Sequence, residues 1–445
     1  MPSLVRFAVL YLVALVFFCW GVFAVELKVF PWRWVGGAFD DLTSFVRGDP
    51  DEDISLLEMI RNDLDIEPSR LIRSYEPVDT SSLRELVIPG TRTRRDAAQL
   101  FIAPNSPSTH RLIVGAFDFE EAFWGAVLLD PAGQVGHTWR LSAEYPEVTQ
   151  KPDILKNLYG VALVADGSLI FTMQEAGGAL FSVDRCSNLS WKIPGKYHHT
   201  VALDSHGASF WTLEGNQEDL HPKLTRFSVT QGERLETIDV AEVERSNPGL
   251  FIFELQQAAN TPDATHPNDI EVLPPSMGNA FPGFSPGSLM LSYRTTNLLY
   301  AFNPRTLKID WWHVGAGDGQ HDPDWQADGT ITLFSNNHRA YNRGIVRGST
   351  IVSVDPREGT HRVLVDGERY GFFSRFNGHH QVTPYGSALI TSSTQGRVFE
   401  VDLETGNVLF DFINSYNWSK DQTLHLSEAF VVTEQQAALW SQKCD

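Results

Sequence analysis

The hydrophobic pattern of the chain changes twice. From Phe7 to Val25 there are 19 residues without a charge. As a helix this run spans about 28 Å at about 1.5 Å per residue, enough to cross a bilayer. Residues 26–95 then combine acidic clusters, Asp40-Asp41 and Asp49-Pro50-Asp51-Glu52-Asp53, with Leu56, Leu57, Ile60 and Leu64 near helical spacing. Pro89-Gly90-Thr91-Arg92 closes that stretch. From residue 96 the pattern becomes short apolar runs separated by turns, which predicts strands.

Six of these runs each follow a glycine-containing turn or its equivalent: Arg111–Val114, Ser168–Phe171, Ala208–Trp211, Ser288–Leu291, Thr330–Leu333 and Ser387–Ile390. A second run follows each, then an Asp- or Asn-led turn and often an aromatic residue, as in Asp130-Pro131-Ala132-Gly133 with Trp139 or Asn303-Pro304 with Trp311. The third copy is blurred around Val229-Thr230-Gln231-Gly232. Six units, each about one four-stranded sheet, predict an all-β fold, a six-bladed β-propeller over residues 96–445 with a C-terminal extension. Ahead of it the pattern predicts an N-terminal tail (1–6), a transmembrane helix (7–25) and a partly helical acidic spacer or collar (26–95). A lone blade cannot bury both faces, so neighbours stack around an axis and closure removes exposed edges.

With 35 Lys and Arg against 55 Asp and Glu, the net charge of −20 argues against a nucleic-acid partner, which needs a clustered basic surface. Twelve Trp and 28 Phe against five Met suit strand packing. The apolar segment has a competing reading as a cleaved signal peptide, with Val22-Phe23-Ala24 as the cleavage site. Its length exceeds the usual signal core of about 7–15 residues, which favours the anchor. Both readings place the bulk of the chain outside the cytoplasm, on a periplasmic or extracellular face. Of three cysteines, Cys19 lies in the apolar segment. Cys186 and Cys444 are free to pair in an oxidising compartment, a bond worth about 5 kcal/mol in the chain-entropy model, or to remain two thiols.

The candidate chemistry lies in histidines at repeated offsets. His199 and His321 each stand eight residues before the glycine of a turn, Gly207 and Gly329. His266, in His266-Pro267-Asn268-Asp269-Ile270, heads the same pattern with extra residues before Pro286-Gly287, and His379-His380 precedes Tyr385-Gly386. In a propeller, the residue entering each innermost strand opens onto one mouth of the axial channel. That slot holds Tyr159, His199, His266, His321 and one of His379 and His380, a ring of imidazoles around a predicted pocket. Asn268 and Arg294 add donors of the kind that hold a tetrahedral oxyanion, each charge-assisted bond from arginine being worth about 1.5–3 kcal/mol.

Taken in order, His266-Pro267-Asn268-Asp269-Ile270, Ser292-Tyr293-Arg294, Trp311, Gly319-Gln320-His321-Asp322-Pro323 and Gly329–Asn337 resemble the arylsulfotransferase family. Tyr197-His198-His199 is similar to that family's early histidine motif. These bacterial-type, PAPS-independent enzymes are six-bladed propellers. The resemblance covers about residues 100–415. It implies transfer of a sulfuryl group from an aryl sulfate donor to a phenolic acceptor, with no metal and no cofactor. It also implies that His321 attacks sulfur and becomes a sulfohistidine, while His199, His266, Asn268 and Arg294 hold the sulfuryl oxygens. A neutral imidazole, of ordinary pKa about 6.5, is available as a nucleophile at about pH 7.

The sequence departs from the family pattern where Thr200 follows His199. A further departure is the insertion containing Pro274-Pro275-Ser276-Met277-Gly278, which is expected to form a loop over the channel mouth and to reshape the pocket. Tyr197, Trp325 and Phe376 are available to stack on an aryl ring, though strand-end aromatics in propellers more often pack. Two rival functions stand beside transfer. One is a non-catalytic, membrane-anchored propeller binding a sulfated ligand or an envelope partner. The other is a metal-dependent hydrolase, which the recurrence of Asn and Arg rather than carboxylates around the histidines disfavours.

Overall fold

The computed structural model describes residues 83–91, 96–118, 123–141, 158–173, 179–216, 219, 221–258, 265–417, 422–442 and 444. The apolar segment 7–25 and most of the acidic segment lie outside these. Among the described residues, no helix is long and apolar enough to cross a membrane.

The described chain folds into six antiparallel sheets arranged as propeller blades, with a separate two-stranded pair. All six apolar runs lie in second strands: His110–Asp118, Leu169–Met173, Ser209–Glu214, Leu289–Tyr293, Ile331–Ser335 and Ser387–Ser392. Such strands are covered on both sides, which explains runs of continuous rather than alternating hydrophobicity. The apolar clusters sit between blades. Trp211 and Leu213 of blade 3, for example, pack with Ile270, Leu289 and Leu291 of blade 4.

The innermost strands are Leu426–Val432 in blade 1, Leu158–Leu163 in blade 2 and Tyr197–Leu203 in blade 3. Blades 4, 5 and 6 use Pro267–Val272, His321–Trp325 and His379–Val382. Each touches the innermost strands of both neighbouring blades, and the contacts run round from blade 1 to blade 6 and back to blade 1. The ring is closed by the chain's own end, because the inner strand of blade 1 is C-terminal while its other strands are N-terminal. A buried, two-pronged pair reinforces that seam: Arg111 of blade 1 donates from Nε to Glu400 Oε2 of blade 6 at 2.9 Å and from Nη2 at 2.5 Å.

Blade 6 is wider than the expected four strands. Ala98–Ile102 pairs with its outer strand Val408–Ile413, and Arg84–Leu86, from the segment read as spacer, adds a sixth. After the last strand, the helix Glu434–Trp440 begins with a capping box of Thr433 and Gln436 and buries Trp440, whose Nε1–H donates to Ala165 O at 3.2 Å. Cys444 then bonds Cys186, with Cα atoms 5.6 Å apart, linking the chain end to an outer turn of blade 2.

The expected loop over the histidine mouth is not there. The inner strand of blade 4 leaves His266 and reaches the other end of the channel at Val272, so the inserted residues emerge at that far end. There Phe281 and Phe284 pack on Trp325, at ring-centroid distances of 4.8 and 5.2 Å, and Ala280 abuts the Gly329 turn. Trp325 is thereby committed to packing. Tyr197 is too, buried edge-on against Phe227.

Candidate active site

A distortion shared by the inner strands builds the site. Strand pairing slips at the start of the inner strands of blades 1 to 5, by two residues in blade 3 and by one in the others. At or beside these slips, and at the entry to blade 6, sit His199 (φ +64°), His266 (φ +50°), Asp322 (φ +52°) and Asn377 (φ +51°), all left-handed without being glycine. Such bulges re-aim side chains at a cost in backbone energy, a recurrent feature of functional sites. Blade 2 has Gly160 at the equivalent place (φ +49°), where a Cβ would come within 2.5 Å of the Thr200 backbone of blade 3.

These side chains converge on a cavity of about 390 Å³ that follows the propeller axis. His199, Asn268, His321, Asn377 and His425 line one end, and Gln436 of the C-terminal helix lines the other. His266 and Arg294 stand just behind His199. Its Nε2 is 3.2 Å from His266 Nε2, which is in turn 3.3 Å from Arg294 Nη1. His198 Nδ1 lies 2.8 Å from His199 Nδ1. Asn268 donates from Nδ2 to Gln320 O at 2.8 Å, which ties blade 4 to the residue before His321, while its buried Oδ1 has no hydrogen-bond partner. All five residues singled out from the sequence are therefore gathered at one mouth. Tyr159 lies in the inner strand of blade 2, its side chain outside the described residues.

His321 is held differently from the others. Its Nδ1 is 2.6 Å from Asn336 Oδ1 and 3.1 Å from Gly319 O. Asn336 in turn donates from Nδ2 to Ser374 O at 2.9 Å and Asn377 O at 2.6 Å, which fixes its amide with the oxygen towards the imidazole. Both partners of Nδ1 are acceptors, so the hydrogen-bond network assigns the proton to Nδ1. Nε2 carries the lone pair, is buried, and has no partner. Burial, then the Arg294 and His266 charges, lower the His321 pKa to about 3. Burial, then His266 and its neighbours, hold His199 well below its ordinary value. His321 and His199 are therefore neutral near pH 7.

Deeper in the channel lies an acidic layer of Asp269, Glu271, Asp322, Asp324 and Glu428, with His379 and His380. Burial works against charge on His379, but Asp322 and Glu428 outweigh it and raise its pKa to about 10. Burial pushes Glu428 up to about 7 against the pull of His379, and burial with the Asp322 charge does the same to Asp324. Asp322, Asp324 and His380 bring ligand atoms within 4.8 Å of one another, the spacing of a candidate metal site. Asp322 and His380 are already engaged. Asp322 accepts from His379 Nε2 at 2.8 Å, from His380 N at 2.5 Å and from His380 Nδ1 at 2.7 Å, while His380 Nε2 meets Thr332 Oγ1 at 2.7 Å.

The model of the arylsulfotransferase (ASST) family matches residues 160–415, more than half of the chain. The chain belongs to the arylsulfotransferase family. Membership makes it a sulfotransferase by lineage and implies an aryl sulfate donor and a phenol acceptor. His199, His266, Asn268, Arg294, His321 and Asn336 all fall within the matched residues; His425 falls outside. No curated protein matches the chain. Among solved structures it is similar to a protein of unknown function from Bacteroides caccae, at 13% identity and a TM-score of 0.48, covering 74% of this chain and 100% of that one. A nidogen/laminin complex follows at 12% identity and 0.43, covering 74% and 99%. Dihydro-heme d1 dehydrogenase NirN is similar at 13% and 0.35, covering 75% and 59%. At such scores these likenesses carry no functional argument.

Sequence reading missed Asn336, Asn377, His425 and the acidic layer. Asn336 lies across the hairpin from His321, two residues beyond Phe334, which pairs with it. The signal for His425 was the first apolar run, Arg111–Val114, which has no histidine slot upstream of it. Its inner strand had to come from elsewhere, and ring closure leaves the C-terminus.

Proposed function

We propose that the protein transfers a sulfuryl group from an aryl sulfate ester to a phenolic acceptor, independently of PAPS, through a sulfohistidine at His321. The observation that carries this reading is the Nε2 of His321, a neutral, buried nitrogen without a hydrogen-bond partner on a residue that lines the cavity, its other nitrogen locked by Asn336. In the first half-reaction the Nε2 lone pair forms the N–S bond while the S–O bond breaks and a phenolate leaves. The positive charge developing on the ring is steadied through Nδ1–H by Asn336 Oδ1 and Gly319 O, the orienting role a third group plays in catalytic triads. The acceptor oxygen then takes the sulfuryl group and returns the electron pair to Nε2.

The donor set suits a tetrahedral anion. If His198 donates to His199 Nδ1, then His199 Nε2–H and Arg294 Nη1–H both point at His266 Nε2. A sulfuryl oxygen bound beside His266 draws on these same donors, in a site where pre-aimed donors stabilise a loose transition state. Asn268 retains one amide hydrogen beyond its bond to Gln320. We further propose that residues 7–25 anchor the protein and that the propeller lies outside the cytoplasm, a reading supported by the Cys186–Cys444 bond, since such bonds persist in oxidising compartments.

The test is incubation with a chromogenic aryl sulfate and a phenol. Wild-type protein is expected to release the chromophore and sulfate the phenol, and His321→Asn to lose at least about 10³-fold in rate, as removal of a nucleophile does. Full activity in that variant, or no transfer by wild type across a broad panel of donors and acceptors, overturns the proposal.

A further inference from the structure

His425 stands immediately ahead of the inner strand of blade 1 and lines the same end of the cavity as His321. It is 2% exposed, and its backbone is pinned by Ala116 N–H donating to its carbonyl at 3.0 Å. Asn377 Nδ2 lies 3.3 Å from its Nε2, and an amide NH₂ only donates, so Nε2 accepts and the ring proton sits on Nδ1. Nδ1 is buried with no hydrogen-bond partner. A buried donor without an acceptor is costly, and such an orphan beside a substrate cavity points to an acceptor that the substrate brings. Burial lowers the His425 pKa to about 4, so the ring is neutral and acts by donating a hydrogen bond, not by releasing a proton.

Two further observations place that donor on the reaction. Asn377 couples it to the nucleophile, since the Asn377 carbonyl receives Asn336 Nδ2–H at 2.6 Å and Asn336 Oδ1 receives His321 Nδ1–H. One strained residue thus sets the orientation of both imidazoles. The order of the blades supplies the second argument. His199 and His266, with Arg294, occupy blades 3 and 4, and His321 is on blade 5. The sulfuryl oxygens are held on the side of blades 3 and 4, which leaves the arc of blades 6, 1 and 2 to face the aryl oxygen, where His425 and Asn377 sit.

We propose that His425 is a catalytic residue whose Nδ1–H hydrogen-bonds the aryl oxygen and stabilises the negative charge that collects there as the S–O bond breaks or forms. This rests on the sulfuryl-transfer reading above. The electrons balance without a further group. The S–O pair departs on the donor oxygen as a phenolate bonded to His425, and in the second half-reaction an acceptor phenolate, its proton lost to solvent, attacks from the same position.

The test is a series of aryl sulfates whose leaving phenols span a wide range of acidity, assayed with wild type, His425→Leu and His425→Asn. Leucine removes the donor, whereas asparagine can place an N–H near the Nδ1 position. The expected result is that His425→Leu loses about 10²-fold with weakly acidic phenols, the cost of one oxyanion-hole donor, but only about 3-fold with a strongly activated nitrophenyl donor. The dependence on leaving-group acidity therefore steepens, and His425→Asn returns it towards wild type. If the leucine variant fails to fold, judged by thermal melting, His425→Met carries the same comparison. Equal losses with every donor show a structural role and overturn the inference while leaving the transfer reading intact. Failure of wild type to turn over any donor removes both.

Discussion

At the residue scale, His199 and His321 began as equivalent offsets from a glycine and are distinguished by their partners. His199 points into other imidazoles, whereas His321 has one nitrogen held by acceptors and the other bare. This asymmetry has a pH signature. Protonation silences Nε2, and because the folded-state pKa is lowered to about 3, protonation comes well below the ordinary imidazole value. The kcat/KM for an aryl sulfate, which reports the free enzyme, should change less than about 3-fold as pH falls from about 7.5 to about 5, whereas an unperturbed imidazole loses about 30-fold. A pH–rate profile with an inflection near 6.5 contradicts the assignment. His321, His199, His266, Asn268 and Arg294 were legible because each sits in a short motif at a strand end. Asn336 was on view in Ser335-Asn336-Asn337 but had no role until the hairpin placed it against the ring. His425 belongs to a blade whose strands come from both ends of the chain, so no local offset could mark it.

At the scale of elements, the second strands were readable because burial on both sides leaves an uninterrupted apolar run after a turn. The bulge at the head of the inner strands was not, since neither histidine nor aspartate announces a left-handed backbone. The insertion in blade 4 was assigned to the wrong mouth because its length is visible in sequence but the direction of the strand preceding it is not. Its packing gives a clean prediction. Phe281 is 1% exposed against Trp325 and Phe284, so Phe281→Ala should cost about 3–5 kcal/mol of stability by leaving a cavity. The KM for aryl sulfates should stay within about 2-fold of wild type, since the histidine mouth lies at the other end of the channel. Denaturant titration and steady-state kinetics on the same preparation check both halves, and a large rise in KM restores the insertion to the substrate pocket.

At the scale of the molecule, the C-terminal strand closes the ring, carries His425 into the site, and leads to the helix at the far end of the channel and to Cys444. The Cys186–Cys444 bond spans a sequence separation of 258 residues, for which chain entropy sets a stabilisation of about 5 kcal/mol, less any native strain. Replacing both cysteines with serine should lower the denaturation midpoint accordingly while leaving transfer at about 25 °C nearly unchanged, because the bond lies at the end of the propeller away from the histidines. Loss of activity without loss of stability contradicts that placement. The propeller itself was legible from its repeats and the family from its motifs. The acidic layer was hidden, because its carboxylates are scattered along the chain and meet only on the axis.

The central claim is that His321 Nε2 accepts the sulfuryl group. Its most direct test is intact-mass measurement of the protein after brief exposure to an aryl sulfate donor alone, followed by peptide mapping under conditions that preserve N–S bonds. One added sulfuryl group on His321, formed together with one equivalent of released phenol and discharged on adding an acceptor, is the predicted result. A burst of phenol with no adduct, or an adduct on another residue that is likewise discharged by the acceptor, contradicts it.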